Sequence, residues 1–257
     1  MRAVAPARPH PTGLTITWLG HSTTLVETGG ARLLTDPLLR NRVAHLRRVV
    51  PPVGVIDGID AILLSHAHRD HLDVPSLRRL PRVPIVVPAG NAGTLRGAGL
   101  SQIVEVEPGD EIELNGVRIT ATLALHDSRR GLRKSDARAV GYVIGDTART
   151  YFAGDTDLTA EMADLRGAID VALLPVSGWG PRVPAGHLDP VRAALALKRI
   201  EPRTCIPIHW GTYRPLYRRT PYAADAGAAE RFRQIAATLT PAVDVRVLQP
   251  GESFTSP

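Results

Sequence analysis

The chain has 257 residues, 44% hydrophobic and 22% charged, enough for one large domain with a substantial core and ordinary for a soluble globular protein. Its one cysteine, Cys205, excludes an intrachain disulfide framework and suits a reducing compartment, and no apolar run is long enough for a membrane-spanning helix. The formal net charge is +6, almost all from arginine because lysine occurs only at Lys134 and Lys198; this favours anionic partners as readily as it reflects a general preference for arginine.

Residues 1–13 carry arginine and proline without the apolar stretch of a secretory signal. They are expected to be a loose tail ahead of a single domain over 14–257, with a cytoplasmic location as the default. Residues 14–18 and 24–27 cluster β-formers, and Gly29-Gly30 turns the chain into a third strand over 31–35, as a hairpin needs. His21 falls between the first two strands. Asp36 closes the third, and on its own Asp36-Pro37 starts a turn. Residues 40–53 are arginine-rich and read as a loop, either near a site mouth or on the solvated surface; His45 has no partner in sequence.

The apolar run 61–64 reads as a short buried strand. It leads directly into Ser65-His66-Ala67-His68-Arg69-Asp70-His71-Leu72-Asp73. His66 and His68 are spaced i, i+2, so in an extended segment both imidazoles lie on the same side. Imidazole and carboxylate are the usual ligands of zinc and related divalent ions. Asp70 and His71 follow where the chain must turn, so they can face a second ion beside the first.

Further along, a short helix is expected over 74–80, a strand over 85–87, a helix over 89–98 and a strand over 102–107. Strands over 111–114 and 117–125 flank Asn115-Gly116, the strongest short hairpin signal. The second of them runs into His126-Asp127. Strands over 140–144 and 150–153 precede Gly154-Asp155-Thr156, where Asp155 alone could cap a helix over 158–165. A buried strand over 171–176 and a loop over 177–181 come next. Asp189 and Pro190 read as N-cap and first residue of a helix to about residue 199, with His187 two residues before the cap. A strand over 204–208 ends in His209-Trp210-Gly211-Thr212, then a helical stretch over 223–239 and a closing strand over 243–248. No internal repeat is visible. Only His10 and His45 of the nine histidines fall outside these motifs.

His66-x-His68-x-Asp70-His71 resembles the signature of the metallo-β-lactamase superfamily. Trp18-Leu19-Gly20-His21-Ser22-Thr23, Thr35-Asp36-Pro37, Leu72-Asp73, Gly154-Asp155-Thr156 and His209-Trp210-Gly211-Thr212 occur in the order found in one branch. That branch holds the N-acyl-phosphatidylethanolamine phospholipase D enzymes and the L-ascorbate-6-phosphate lactonases. The similarity runs from about Trp18 to Thr212. Periodicity alone shows a mixed α/β domain; the resemblance implies a four-layer αβ/βα sandwich.

The resemblance also implies roles. His66, His68 and His126 would hold one divalent ion and Asp70, His71 and His209 a second, with Asp155 shared. A shared carboxylate would offset the repulsion of two close cations. Asp36 would orient a metal-binding histidine from behind, and His21 and His187 would lie behind the ligands or against substrate. The expected cofactors are two zinc ions, with manganese or iron as alternatives. A water on the ions would be the nucleophile, ionised near neutral pH, and Asp70 could also handle a leaving-group proton. Several members that degrade β-lactams use cysteine where Asp155 stands, so that activity is not expected as the main task.

Arg129, Arg130, Arg133 and Lys134 follow His126, and Arg214, Arg218 and Arg219 follow His209. Arginine holds phosphate through paired hydrogen bonds. The expectation is therefore a binuclear hydrolase of a phosphodiester or a phosphorylated ester or lactone, acting on a small anionic substrate. A nuclease of the same fold and a non-catalytic metal-binding protein are the alternatives. The nuclease is disfavoured because 155–209 leaves little room for an inserted domain. Residues 125–128 depart from the lipid-cleaving pattern, and peripheral membrane contact has no support in the sequence.

Overall fold

A computed structural model describes residues 13–127, 138–178, 183–217 and 227–256. The first half contains β1 (Thr15–Gly20), β2 (Thr23–Thr28), β3 (Ala31–Thr35), β4 (Arg42–Val43), β5 (Leu46–Arg48), β6 (Ala61–Leu63), α1 (Val74–Leu77), β7 (Ile85–Pro88), α2 (Ala92–Gly97) and β8 (Ile103–Val106). The second half contains β9 (Glu111–Leu114), β10 (Val117–Leu123), β11 (Val140–Ile144), β12 (Thr150–Phe152), a 3-10 helix (Ala160–Leu165), β13 (Val171–Pro175), α3 (Pro190–Ile200), β14 (Thr204–Ile208), β15 (Tyr213–Pro215), α4 (Ala228–Leu239), β16 (Asp244–Val245) and β17 (Ser253–Thr255).

Two seven-stranded sheets result, in the orders β17-β1-β2-β3-β6-β7-β8 and β16-β14-β13-β12-β11-β10-β9. Each is antiparallel at one end and parallel at the other: β3-β6-β7-β8 in the first, β12-β13-β14-β16 in the second. The sequence explains the layering, because side chains alternate across a strand. Ala61 and Leu63 point between the sheets, where they meet Ile119, Tyr142, Leu173 and Ile206. Ile62 and Leu64 point the other way, onto Leu77 of α1 and Leu95 of α2. Ala172 and Leu174 likewise turn outward to Leu197 of α3 and Phe232 of α4. Helices therefore cover the outer face of each sheet, giving the expected αβ/βα sandwich.

Several local expectations change. The 158–165 segment is a 3-10 helix capped at Thr159, so Asp155 is not its cap. The closing strand narrows to β16, because Asp244 and Val245 alone pair with β14. The unexpected β17 adds to the free edge of β1. Residues 40–53 hold β4 and β5, which pair with each other, and β5 pairs with β15 to complete a small third sheet. The last helix begins at Ala228, and residues 223–226 lie outside the described residues.

The polar motifs all sit at strand ends. Asp36 follows β3, His66 follows β6, Asp155 follows β12 and His209 follows β14. Parallel β3 and β6 carry Asp36 and Ser65 to one level, where Asp36 N donates to Leu63 O at 3.0 Å. Ligand crevices lie outside the carboxyl ends of such strands. His21, Asp36 and His209 have φ of 54°, 32° and 61°, a left-handed backbone that non-glycine residues rarely adopt and that clusters at functional sites.

Gly154 lets the two sheets meet below the site. It has φ +60°, and a Cβ there would stand 2.6 Å from Ser65 Cβ. Gly154→Ala should cost about 2–4 kcal/mol from overpacking and left-handed strain together. Thermal melting should show a drop of about 5–10 °C; an unchanged midpoint would mean that the sheets part there without cost.

Candidate metal centre

Histidines delivered by five separate chain segments converge. His66 and His68 share the turn after β6, which closes through His71 N→His68 O at 3.0 Å and Leu72 N→His68 O at 2.8 Å. That turn also presents Asp70 and His71. His126 arrives from β10, His209 from β14, His21 from the β1–β2 turn and His187 from the segment before α3.

The hydrogen bonds behind the rings fix their tautomers. Asp36 Oδ1 accepts from Ser65 N at 2.7 Å, and Oδ2 accepts from Ser65 Oγ at 2.5 Å and His71 Nδ1 at 2.7 Å. Ser65 has then spent its proton on Asp36, so it accepts from His66 Nδ1 at 2.9 Å. His126 Nδ1 donates to Gly186 O at 2.7 Å, since a carbonyl only accepts. The inner nitrogens of His66 and His126 therefore carry bare lone pairs. Both Nε2 atoms lie 3.0 Å from His68 Nδ1. One proton cannot bridge three converging ring nitrogens, whereas a cation can.

The second group is His21, Asp70, His71 and His209, whose ligand atoms all lie within 4.8 Å of one another. His71 Nε2 stands 3.2 Å from Asp155 Oδ2 and 3.7 Å from Asp70 Oδ2, in hydrogen-bond geometry with neither. Only a further proton or a cation can occupy that position. His209 Nε2 lies 3.3 Å from Asp155 Oδ2, and His21 Nε2 lies 3.2 Å from Asp70 Oδ2. Asp155 Oδ2 also comes within 4.0 Å of His66 Nε2 and 3.4 Å of His187 Nε2. It thus sits between the two groups, while buried Oδ1 accepts no hydrogen bond from the described residues.

Ionisation suits cation binding. Burial, reinforced by neighbouring imidazoles, lowers the pKa of His66 and His68 and takes His21 to about 3. Burial takes His126 to about 4. Burial works against the charge on Asp155, yet His209 and His71 hold its pKa well below the carboxylate range; for Asp70, His71 and His21 do the same. Neutral imidazoles and ionised carboxylates are the forms that bind metal. His71 is the exception. Burial disfavours its charge, but Asp155, Asp70 and Asp36 raise its pKa well above the usual value. A cation at Nε2 would take over the part of that proton.

The supporting contacts come largely from residues with no assigned role in the sequence. Buried Asp157 pairs with Arg192 and accepts from Gly186 N at 3.3 Å, which holds the Gly186 carbonyl against His126. Thr156 Oγ1 accepts from Leu125 N at 2.9 Å. On the other side His21 N donates to Thr212 Oγ1 at 2.7 Å, His209 N to His21 O at 2.9 Å and Trp18 Nε1 to His21 O at 2.8 Å. Trp18 stacks on Trp210 at 5.0 Å. The two tryptophan motifs are therefore one interlocked unit. Arg48, nearly buried, closes it by donating to Leu19 O at 2.7 Å. A carboxylate two residues after Asp155 is the one visible sequence signal for Asp157; Arg48 has none.

His187 lies against Asp155 and His126, with ring centroids 4.6 Å apart for the two histidines. His45 lies apart, stacked on Tyr217 at 6.1 Å. Arg129, Arg130, Arg133, Lys134, Arg218, Arg219 and His10 lie outside the described residues.

Two helix-covered sheets with histidines and carboxylates gathered at their facing strand ends define a metallo-β-lactamase fold. The chain belongs to the β-lactamase superfamily: the family model described as Beta-lactamase superfamily domain matches residues 31–210. A UPF0173 metal-dependent hydrolase of Nitratidesulfovibrio vulgaris is 34% identical over 252 residues, 93% of this chain and 94% of the relative. An N-acyl-phosphatidylethanolamine-hydrolyzing phospholipase D 1 of Caenorhabditis elegans is 32% identical over 230 residues, 78% and 65% of the two chains. A Mycobacterium tuberculosis relative, the uncharacterized protein Rv0906, is 33% identical over 221 residues, and the match covers 78% of this chain but 59% of that protein's length. Among solved structures, the metallo hydrolase Igni18 of Ignicoccus hospitalis superposes with TM-score 0.75 at 26% identity, covering 96% of this chain and 99% of that one.

Proposed function

We propose that this protein is a binuclear metal-dependent hydrolase acting on a phosphodiester or a phosphorylated ester or lactone, built as a single domain over 14–257. The observation that carries it is the convergence of His66 Nε2, His68 Nδ1 and His126 Nε2, two of them with their outer nitrogens already spent on protein partners. In this reading those three hold one ion, Asp70, His71 and His209 hold the second, and Asp155 is shared. His21, which reaches Asp70 Oδ2, steadies that carboxylate.

Nitrogen and oxygen donors without cysteine suit zinc, with manganese or iron as alternatives. Such ions would supply Lewis acidity and a nucleophile at neutral pH. The chain's own groups divide the rest. Asp36 keeps His66, through Ser65, and His71 in the binding tautomers. Asp70 has 15% of its side chain exposed against 2% for Asp155, so it is the site carboxylate placed to pass a proton to a leaving group.

The net charge of +6 supports an anionic substrate, and the phospholipase D relative acts on a phosphodiester by its name. No described helix is long and apolar enough to cross a membrane, and with a single buried cysteine the reading is of a cytoplasmic enzyme.

The test combines metal analysis with hydrolysis of a chromogenic phosphodiester. Two bound equivalents are expected, with turnover that falls at least about 1000-fold in His66→Ala, the order of loss when a transition-state electrostatic element goes. Fully metallated wild type that turns over no phosphodiester, lactone or ester would sink the hydrolase reading.

A further inference from the structure

We propose that the small sheet of β4, β5 and β15 is a docking face for a bilayer surface bearing anionic phospholipid headgroups. Its register pairs Arg42 with Arg47 and Arg47 with Arg214. Directly paired residues project from the same face of a sheet. Three guanidinium groups therefore stand in one row across three strands. The row spans two strand spacings, about 10 Å. The opposite face carries Val43, Leu46 and Tyr213, buried with Leu38, so the arginine face is the outer one. Arg42 and Arg47 are exposed there.

Like charges set directly opposite one another destabilise a sheet. Among the described residues, no carboxylate lies within ion-pairing distance of Arg42 or Arg47, whereas Arg32, Arg40, Arg118, Arg166 and Arg192 each have one. For the Arg42–Arg47 pair no described carboxylate offsets that cost, which points to an external anion.

Apolar neighbours narrow the choice of anion. Val49 N→Thr212 O at 2.9 Å and Leu216 N→His45 O at 2.8 Å continue the ladder one residue past β5 and β15. Alternation then places Val49 beside Arg47 and Leu216 beside Arg214 on the outer face. Both are 42% exposed, and adjoining Tyr217 is 69% exposed. These three are among only eight exposed large hydrophobic side chains in the described residues. The row is longer than one phosphate can bridge, so a free phosphate cannot use all of it. A nucleic acid offers phosphates but no apolar phase for Val49 and Leu216. A headgroup layer offers both, a plane of phosphates over acyl chains, and tyrosine is favoured at that depth.

Co-sedimentation of the full chain with phosphatidylcholine vesicles, with and without phosphatidylglycerol, tests this. Wild type should bind only the anionic vesicles, more weakly as salt rises. Replacing Arg42, Arg47 and Arg214 together by Gln should weaken binding by about 100-fold, at about 1 kcal/mol per arginine. A control with the same charge change at Arg82, Arg96 and Arg203 should bind as wild type does. Arg42→Gln with Arg47→Gln alone should melt no lower than wild type, because it loses a like-charge repulsion, and weaker vesicle binding by that variant keeps misfolding apart from lost docking. Equal loss in the row variant and its control would reduce the effect to net charge. No vesicle binding by wild type, or row-dependent binding of RNA in its place, would overturn the proposal.

Discussion

Asp155→Asn should separate the two halves of the site. Asp155 Oδ2 lies 3.2 Å from His71 Nε2, 3.3 Å from His209 Nε2 and 3.4 Å from His187 Nε2, at 2% side-chain exposure. Asparagine keeps the volume and one oxygen but removes the charge. Burial already works against that charge, and it is sustained by His209 and His71. Removing one partner from a buried charge cluster costs about 3–5 kcal/mol because the remaining charges stay desolvated. Under the proposed function that cost would fall on the bound ions. Affinity for the more weakly held equivalent should drop by about 100- to 5000-fold, read by competition with a chromophoric chelator. Turnover should fall at least as far, since under the proposed function both ions would lose their shared anion. The protein should still fold, because Gly154 and Thr156 keep their backbone contacts. Two equivalents retained at wild-type affinity, with turnover inside tenfold, would remove Asp155 from its proposed place between the ions.

The strands that carry the site were legible because their signals are local. Residues 61–64 are apolar and bounded, Asn115-Gly116 demands a hairpin, and Asp189-Pro190 caps α3 through Asp189 Oδ1, which accepts from Val191 N and Arg192 N at 2.9 Å each. The convergence of motifs more than a hundred residues apart was legible only through the family resemblance, since no period in the sequence says that His21 and His209 meet. What stayed hidden depends on pairings made late in the chain or across it. β17 exists because β1 has a free edge, and nothing in Ser253-Phe254-Thr255 announces that. β5 is held between β4 and β15, and β15 comes from far along the chain. Asp157 becomes a support for His126 only once the 183–188 segment folds over it. Short elements follow tertiary context in this way, whereas long periodic ones declare themselves.

Asp36→Ala should be the costliest change outside the proposed ligands. The carboxylate is fully buried and accepts three hydrogen bonds, from Ser65 N, Ser65 Oγ and His71 Nδ1. Alanine strands all three donors away from water. Leaving buried donors unsatisfied costs about 1–3 kcal/mol each, with charged partners at the upper end. Partial relaxation should keep the total near 3–5 kcal/mol, the range for removing one side of a buried ionic network. Denaturant unfolding should report that loss. The effect on metal binding is separable. Without Asp36, Ser65 can turn its hydroxyl proton towards His66 Nδ1, and His71 no longer has an acceptor that holds its proton on Nδ1. Both rings can then present a protonated nitrogen to the cluster. Affinity should fall by about 10- to 100-fold, as for loss of groups that orient metal-binding histidines. Asp36→Asn divides the two effects. Its amide oxygen can still accept from Ser65 N, so most stability should return. Its NH2 group, facing Ser65 Oγ and His71 Nδ1, donates where the carboxylate accepted and so favours the wrong tautomers. Asn at this position should therefore fold nearly as well as wild type and bind metal as poorly as Ala; full recovery of metal affinity in the Asn variant would show that Asp36 acts through packing rather than through the protons it places.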